Sequence, residues 1–164
     1  LNDGRGGFQP APPGTLPRFL KSGSCVKAAD FDRDGDLDLF IGGRVVPERY
    51  PEPTSCFILR NDSGRGERAG EGRGGRNGKS PSSLSSSPPR FTDATAQLAP
   101  GLRNMGLVCD ALWTDYDHDG WPDLLLVGEW MTPTMFRNEK GTFNSQFSIP
   151  RCGPLNAQLK GWRN

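Results

Sequence analysis

Asp30-Phe31-Asp32-Arg33-Asp34-Gly35-Asp36-Leu37-Asp38 and Asp115-Tyr116-Asp117-His118-Asp119-Gly120-Trp121-Pro122-Asp123 are the two stretches whose reading decides how this chain folds. Each has the form Asp-x-Asp-x-Asp-Gly-x-x-Asp. Carboxylates at positions one, three, five and nine, with a main-chain carbonyl at seven, can surround a hard cation with oxygens at roughly 2.3–2.6 Å, the habit of calcium. The expected ligands are Asp30, Asp32, Asp34 and Asp38 with the carbonyl of Asp36, and Asp115, Asp117, Asp119 and Asp123 with the carbonyl of Trp121. Gly35 and Gly120 stand at position six, where the chain must turn sharply and glycine reaches positive φ without steric cost. Four carboxylates so close repel one another, so a cation-free loop is expected to be strained or mobile. A solvated acidic turn is the plain alternative for one such loop; two copies in register argue against it.

An EF-hand would need a bidentate Glu at position twelve and flanking helices. Position twelve is Ile41 in one copy and Leu126 in the other. Each loop runs into a short apolar stretch closed by glycine, Leu39-Phe40-Ile41-Gly42-Gly43 and Leu124-Leu125-Leu126-Val127-Gly128. Such runs read as buried strands. The preceding Ser24–Ala29 and Cys109–Thr114 are strand-like too, so each loop joins two strands.

A second repeated element interleaves with the first. Leu1-Asn2-Asp3-Gly4 leads to Phe8, Leu59-Arg60-Asn61-Asp62 to Phe91, and Phe136-Arg137-Asn138-Glu139 to Phe143. Each reads as a hairpin: a strand, a turn rich in Asn, Asp and Gly, then a strand opening on Phe. The acidic loops lie 85 residues apart, or about 61 once an insert of about 24 is set aside, and Asn2 and Asn61 lie 59 apart. Four strands per period of about 60 residues match a β-propeller blade.

The insert is Ser63–Pro89, 27 residues with seven Gly, seven Ser and three Pro, whose only apolar side chains are Ala69 and Leu84. It carries a formal charge of +3 against −2 for the remaining 137 residues. Such a segment buries too little apolar surface to offset the entropy of ordering it, and reads as a disordered loop in the middle hairpin. An arginine-glycine tract that binds single-stranded RNA is the sharper alternative, but it has no aromatic residue to stack on bases. A net charge of +1 for the whole chain also argues against nucleic acid as a partner. No apolar run approaches the length of a membrane span. One histidine and no Cys-x-x-Cys pair leave little for zinc.

The combination of strand, acidic loop, strand and Leu-Arg-Asn-Asp hairpin, followed by Phe91-Thr92-Asp93-Ala94-Thr95, resembles the FG-GAP/VCBS repeat. The likeness is closest to the ASPIC/UnbV and cartilage-acidic-protein-like group. It implies an all-β fold, a calcium-binding propeller like the integrin α-subunit head, with two calcium ions in the present stretch. It also implies a secreted, periplasmic or cell-surface setting and a structural or adhesive role toward a protein or polysaccharide ligand. A propeller needs about four to eight blades, so about two blades are expected to be a section of a longer ring. On that footing residues 1–22 end a preceding blade, 23–95 and 96–147 are blades, and 148–164 approach a following one.

Cys25, Cys56, Cys109 and Cys152 allow three disulfide pairings, and their spacing selects none over buried thiols. His118, between ligands, is expected to face solvent. The four tryptophans are read as packing residues rather than a sugar-binding face. The alternative function is an enzyme acting on polysaccharide. Glu48, Glu52, Asp93, Asp110 and Glu129 show no spacing that picks a carboxylate pair, and no Gly-x-Ser-x-Gly elbow is present. No catalytic residue is therefore assigned.

Overall fold

The computed structural model describes residues 2–18, 21–63 and 90–148. The insert beyond Ser63, Cys152, Trp162 and the expected approach to a following blade from residue 149 onward lie outside the described residues.

Eight strands form two antiparallel four-stranded sheets. Strands β1 (Ser22–Ala29), β2 (Asp38–Val45), β3 (Phe57–Asn61) and β4 (Phe91–Asp93) make the first, in the order β1-β2-β3-β4. Strands β5 (Leu107–Thr114), β6 (Asp123–Glu129), β7 (Thr134–Arg137) and β8 (Ser145–Ser148) make the second, in the order β5-β6-β7-β8. The sheets repeat one another in detail. Asp38 pairs with Ala29 where Asp123 pairs with Thr114, and both first hairpins kink at the same place, between Gly23 and Val26 and between Val108 and Asp110. Ser24 and Cys109, 85 residues apart, therefore sit in equivalent bulges.

The sheets pack against each other, β1 and β2 lying on β5. The first contributes Phe40 and Ile58, cross-strand partners, with Cys25 and Cys56 packed beside them. The second contributes Ala111, Leu124, Leu126 and Phe136, with Trp113 at the margin. Because side chains alternate along a strand, these are opposite faces of the repeated unit. Phe40 corresponds to Leu125, which lies on the far side of the second sheet; Leu39 and Ile41 correspond to Leu124 and Leu126, yet lie on the far side of the first. The two sheets are stacked head to tail, so that unlike faces of the repeated unit meet.

The connection between the sheets is also packed. Asp93 Oδ1 accepts from the N–H (3.0 Å) and hydroxyl (2.6 Å) of Thr95, whose Oγ1 accepts from Ile58 N–H at 2.9 Å. Thr95 thus takes over from β4 as partner of β3 and opens the one-turn helix α1 (Thr95–Leu98). After the 3-10 turn Pro100–Leu102, the carbonyls of Leu98 and Leu102 accept from Phe143 N–H at 2.6 Å and Cys56 N–H at 3.1 Å. Ala99 and Leu102 are fully buried between the sheets. No helix among the described residues is long and apolar enough to cross a membrane.

The three expected hairpins differ in completeness. The middle one pairs Asn61 with Phe91 as anticipated. In the last, β8 begins two residues after Phe143, and that ring instead drops into the core, with centroids 5.5 Å from Phe31 and 5.8 Å from Trp113. The first is a single bridge, Asn2 to Phe8, with Phe8 77% exposed. Cys25, Cys56 and Cys109 are not bonded to one another, and any pairing with Cys152 lies outside the described residues. Trp113 packs as anticipated, but Trp130 is exposed and donates its ring N–H to the Tyr50 hydroxyl at 2.8 Å.

The same hairpin position thus carries very different weight in two copies. Phe143→Ala should cost about 3–5 kcal/mol, as loss of a buried aromatic does, whereas Phe8→Ala should stay within about 0.5 kcal/mol. Urea midpoints at unchanged m-value measure both; equal effects would contradict the packing described.

Candidate metal centre

Each acidic loop is the turn of its sheet's first hairpin, opening where the Ala29–Asp38 or Thr114–Asp123 pair ends the ladder. The turns share a backbone shape. Gly35 and Gly120 lie at φ 95° and 86°, and position four lies at φ 59° in both copies, although Arg33 and His118 occupy it. Left-handed backbone at a non-glycine residue is uncommon, so its recurrence marks a common conformation. His118 is exposed, as anticipated.

Backbone N–H groups first organise the carboxylates. Asp30 accepts from Asp34 and Gly35 N–H, and Asp34 from Asp36 N–H, each at 3.0 Å. In the second loop Asp115 accepts from Gly120 N–H (3.0 Å), Asp117 from Asp119 N–H (3.3 Å) and Asp119 from Trp121 N–H (2.9 Å). These side-chain-to-backbone turns are a familiar use of Asp. They bring Asp30, Asp32 and Asp38 together, each offering an oxygen within 4.8 Å of the others, and do the same for Asp115, Asp117 and Asp119. Either triad could hold a metal ion. Asp34 and Asp123 stand outside these groupings, and Asp36 and Trp121 enter the hydrogen bonding through their N–H groups.

Asp38 is the most constrained member. It is fully buried, and its Oδ1 accepts from Asn61 N–H at 2.7 Å. Its Oδ2 is buried with no hydrogen bond of normal geometry among the described residues, the Phe31 N–H supplying only a weaker pull. Burial pushes the carboxyl up to about 7; the Asn61 N–H opposes this, and the Asp32 and Asp34 carboxylates add to it. A charged oxygen in such a place needs either a proton or a cation. Its counterpart Asp123 is equally buried but meets a backbone donor on each oxygen, Asn138 N–H at 2.7 Å and Tyr116 N–H at 3.0 Å.

Two asparagines fix the loops to the sheets. Asn61 Nδ2 donates to the Leu37 carbonyl at 3.2 Å. Asn138, fully buried, does more: its Nδ2 donates to the Pro122 carbonyl (3.0 Å) and to the Phe31 carbonyl of the other loop (2.8 Å), while its Oδ1 accepts from Gly141 N–H (2.7 Å). Both lie in the repeated Arg-Asn pair, which was visible in the sequence without a role. Two further participants were not foreseen. The Arg33 guanidinium of the first loop lies over the Trp121 ring of the second, 5.3 Å from its centroid. Arg137 Nε lies 2.6 Å from Asp117 Oδ2, and its terminal nitrogen 3.6 Å from Asp119 Oδ2. A comparison with known proteins finds no matching family model, curated protein or solved structure.

Asp38→Asn keeps the acceptor for Asn61 and removes the negative charge beside the neighbouring loop carboxylates. Relief of a buried unsatisfied charge is worth about 1–3 kcal/mol, and each kcal/mol raises Tm by about 2–4 °C in a protein of this size. In chelator the variant should therefore melt higher than wild type, and added calcium should raise its Tm less than that of wild type. A lower melting point in chelator would contradict the electrostatic account of Asp38.

Proposed function

We propose that this chain is a section of a calcium-binding β-propeller of the FG-GAP/VCBS kind, serving as a structural or adhesive binding module of a secreted or cell-surface protein. The observation that carries this reading is the head-to-tail packing of two equivalent sheets, each with an acidic loop at the same end. A stack of this sort leaves one apolar face only partly covered at each side, with Leu59 and Met135 buried there among exposed neighbours. On the second sheet Leu112, Val127 and Phe147 are exposed, and Tyr116, the counterpart of the fully buried Phe31, is 60% exposed. On the first sheet Val26 is exposed on the opposite face. Further units added in the same sense would cover both, and a ring of blades leaves neither open.

Calcium would tie the turn between the first two strands of a blade, with Asp30, Asp32 and Asp38 as its nearest carboxylates in the first loop. Affinity on the order of 10⁻⁴–10⁻³ M is typical of extracellular modules. Two acids outside the loops are engaged structurally, Asp110 with Lys27 and Glu129 with Arg44, both at 2.8 Å. That favours a binding module over a hydrolase with a carboxylate pair. A protein or polysaccharide would be met by loops at one rim of the ring.

Calcium should raise Tm in a chelator-reversible manner, by about 2.7 kcal/mol of stability at a hundredfold excess over Kd. Equal magnesium should do less, since it demands a tighter octahedral shell. A calorimetric melt unmoved by calcium at roughly tenfold above the weakest affinity expected for such modules would overturn the cation assignment. Small-angle scattering of the intact protein tests the ring: a compact disc is expected, and an elongated particle would overturn it.

A further inference from the structure

At the ends of the sheets away from the acidic loops, two exposed aromatic rings are tied into a chain of polar contacts that crosses the stack. Arg44 and Glu129 stand 85 residues apart at equivalent positions near the ends of β2 and β6, and their side chains join at 2.8 Å. Arg44 is also steadied by the Cys109 sulfur, 3.5 Å from its second terminal nitrogen. Glu129 Oε2 accepts from the Tyr50 hydroxyl at 3.4 Å, and the Tyr50 oxygen accepts from Trp130 Nε1 at 2.8 Å. Yet Tyr50 is 59% exposed and Trp130 71%. The backbone aims the tryptophan outward. Trp130 lies at φ 55°, left-handed backbone that a bulky side chain seldom adopts. The next residue, Met131, packs against the core, its Cβ and Sδ 2.9 Å and 2.7 Å from where a Cβ on Gly106 and Gly128 would stand. With Met131 anchored inward, the turn presents the Trp130 ring to solvent. Backbone of this kind persists where its surroundings enforce it, and it clusters at ligand sites.

We propose that Tyr50, Trp130, Glu129 and Arg44 form a carbohydrate site on the rim opposite the acidic loops, taking a neutral β-linked pyranose chain with one sugar face against the Trp130 ring. This rests on the binding-module reading given above and narrows its ligand to polysaccharide. A pyranose with equatorial hydroxyls has flat faces of C–H groups and a polar edge. An indole presents the matching surface, apolar across the ring and polar at one edge. Around that edge stand a hydroxyl, a carboxylate and a guanidinium, which together accept from and donate to sugar hydroxyls. The hydrogen bond from Arg44 holds Glu129 below the usual carboxylate range, so it stays an acceptor at neutral pH. The ion pair neutralises itself, which favours a neutral sugar over an acidic one. The centre of a protein–protein interface is depleted in charged residues; here an ion pair is bonded directly to the aromatic pair, which favours a glycan over a protein. Because the polar chain holds the rings in place before any ligand arrives, little ordering remains to oppose binding.

Calorimetric titration of the full chain in calcium buffer with cellohexaose and chitohexaose tests the proposal, with far-UV circular dichroism confirming that each variant folds. Wild type should bind at least one of the two saturably, with a matching change in tryptophan fluorescence. Trp130→Ala should weaken binding by about tenfold or more, as truncation of a central aromatic does, and Trp130→Phe, which keeps a flat ring, should weaken it less. Tyr50→Phe, which breaks the polar chain, should cost roughly fivefold. A heparin hexasaccharide should bind more weakly than the neutral chains. No binding of either neutral chain by wild type, the result expected of a protein-binding rim, would overturn the proposal, as would equal affinity in Trp130→Ala or tighter binding of heparin. Tm in calcium and small-angle scattering read the other end of the sheets and the ring itself, so failure of the sugar titration alone leaves the propeller reading standing.

Discussion

A four-stranded sheet with apolar side chains on both faces cannot bury them alone, and this constraint governs the rest of the molecule. Phe40 and Ile58 need a cover on one side of the first sheet, and Leu124, Leu126 and Phe136 need one on the opposite side of the second. Stacking head to tail answers both needs with a single interface. The connection from β4 to β5 completes it, since Ala99 and Leu102 are buried and the carbonyls of Leu98 and Leu102 accept from Phe143, in the turn before β8, and from Cys56, just before β3. Domains are commonly built from layers that hide each other's apolar faces. Here the hidden faces are unlike, so the interface leaves the opposite face of each sheet outside it.

The acidic loops are extensions of that interface. Phe31 is the second residue of the first loop, and its ring is buried against Trp113 and Phe143 of the other sheet. Its carbonyl accepts from Asn138, which also holds Asp123 and Pro122 of the second loop. The positions of Asp30 and Asp32 are thus set from outside their own hairpin, by the neighbouring unit. Carboxylates held this close gain no relief by spreading apart, because the residue between them is locked in the core. The electrostatic cost of the loop must be met by backbone donors, an arginine, a proton or a metal. The second loop, whose Tyr116 lacks such a cover, rests on its own N–H groups and on Arg137.

Much of this was legible in the sequence because it is periodic. Asp-x-Asp-x-Asp-Gly-x-x-Asp followed by a short apolar run located both loops and the strands beside them, and the Asn-centred hairpins located β3, β4 and β7. The direction of stacking was not legible. Leu124-Leu125-Leu126 is apolar at every position, so it does not say which face meets the other sheet; only pairing with Trp113 and Ala111 on the inner side decides that. Phe143 was misplaced for a related reason: a strand-opening Phe and a core Phe have the same composition, and the turn Glu139–Thr142 moves the ring out of the ladder. The triads were legible as a pool of ligands but not in membership, since backbone donors claim oxygens by geometry that spacing does not encode.

The fate of the arginine shows how small a change redirects a repeated element. Arg60 and Arg137 leave equivalent strands one residue before the clamping asparagine. The residue after the asparagine differs by one methylene, Asp62 in one copy and Glu139 in the other. Asp62 is short enough to hold Arg60 Nε at 2.8 Å within its own hairpin. In the other hairpin the Glu139 N–H closes a tight turn onto the Thr142 carbonyl at 2.7 Å, and Arg137 reaches across to Asp117 instead. The contact is half exposed and therefore individually weak. The repeated hairpin thus presents its arginine to its own turn in one copy and to the acidic loop in the other.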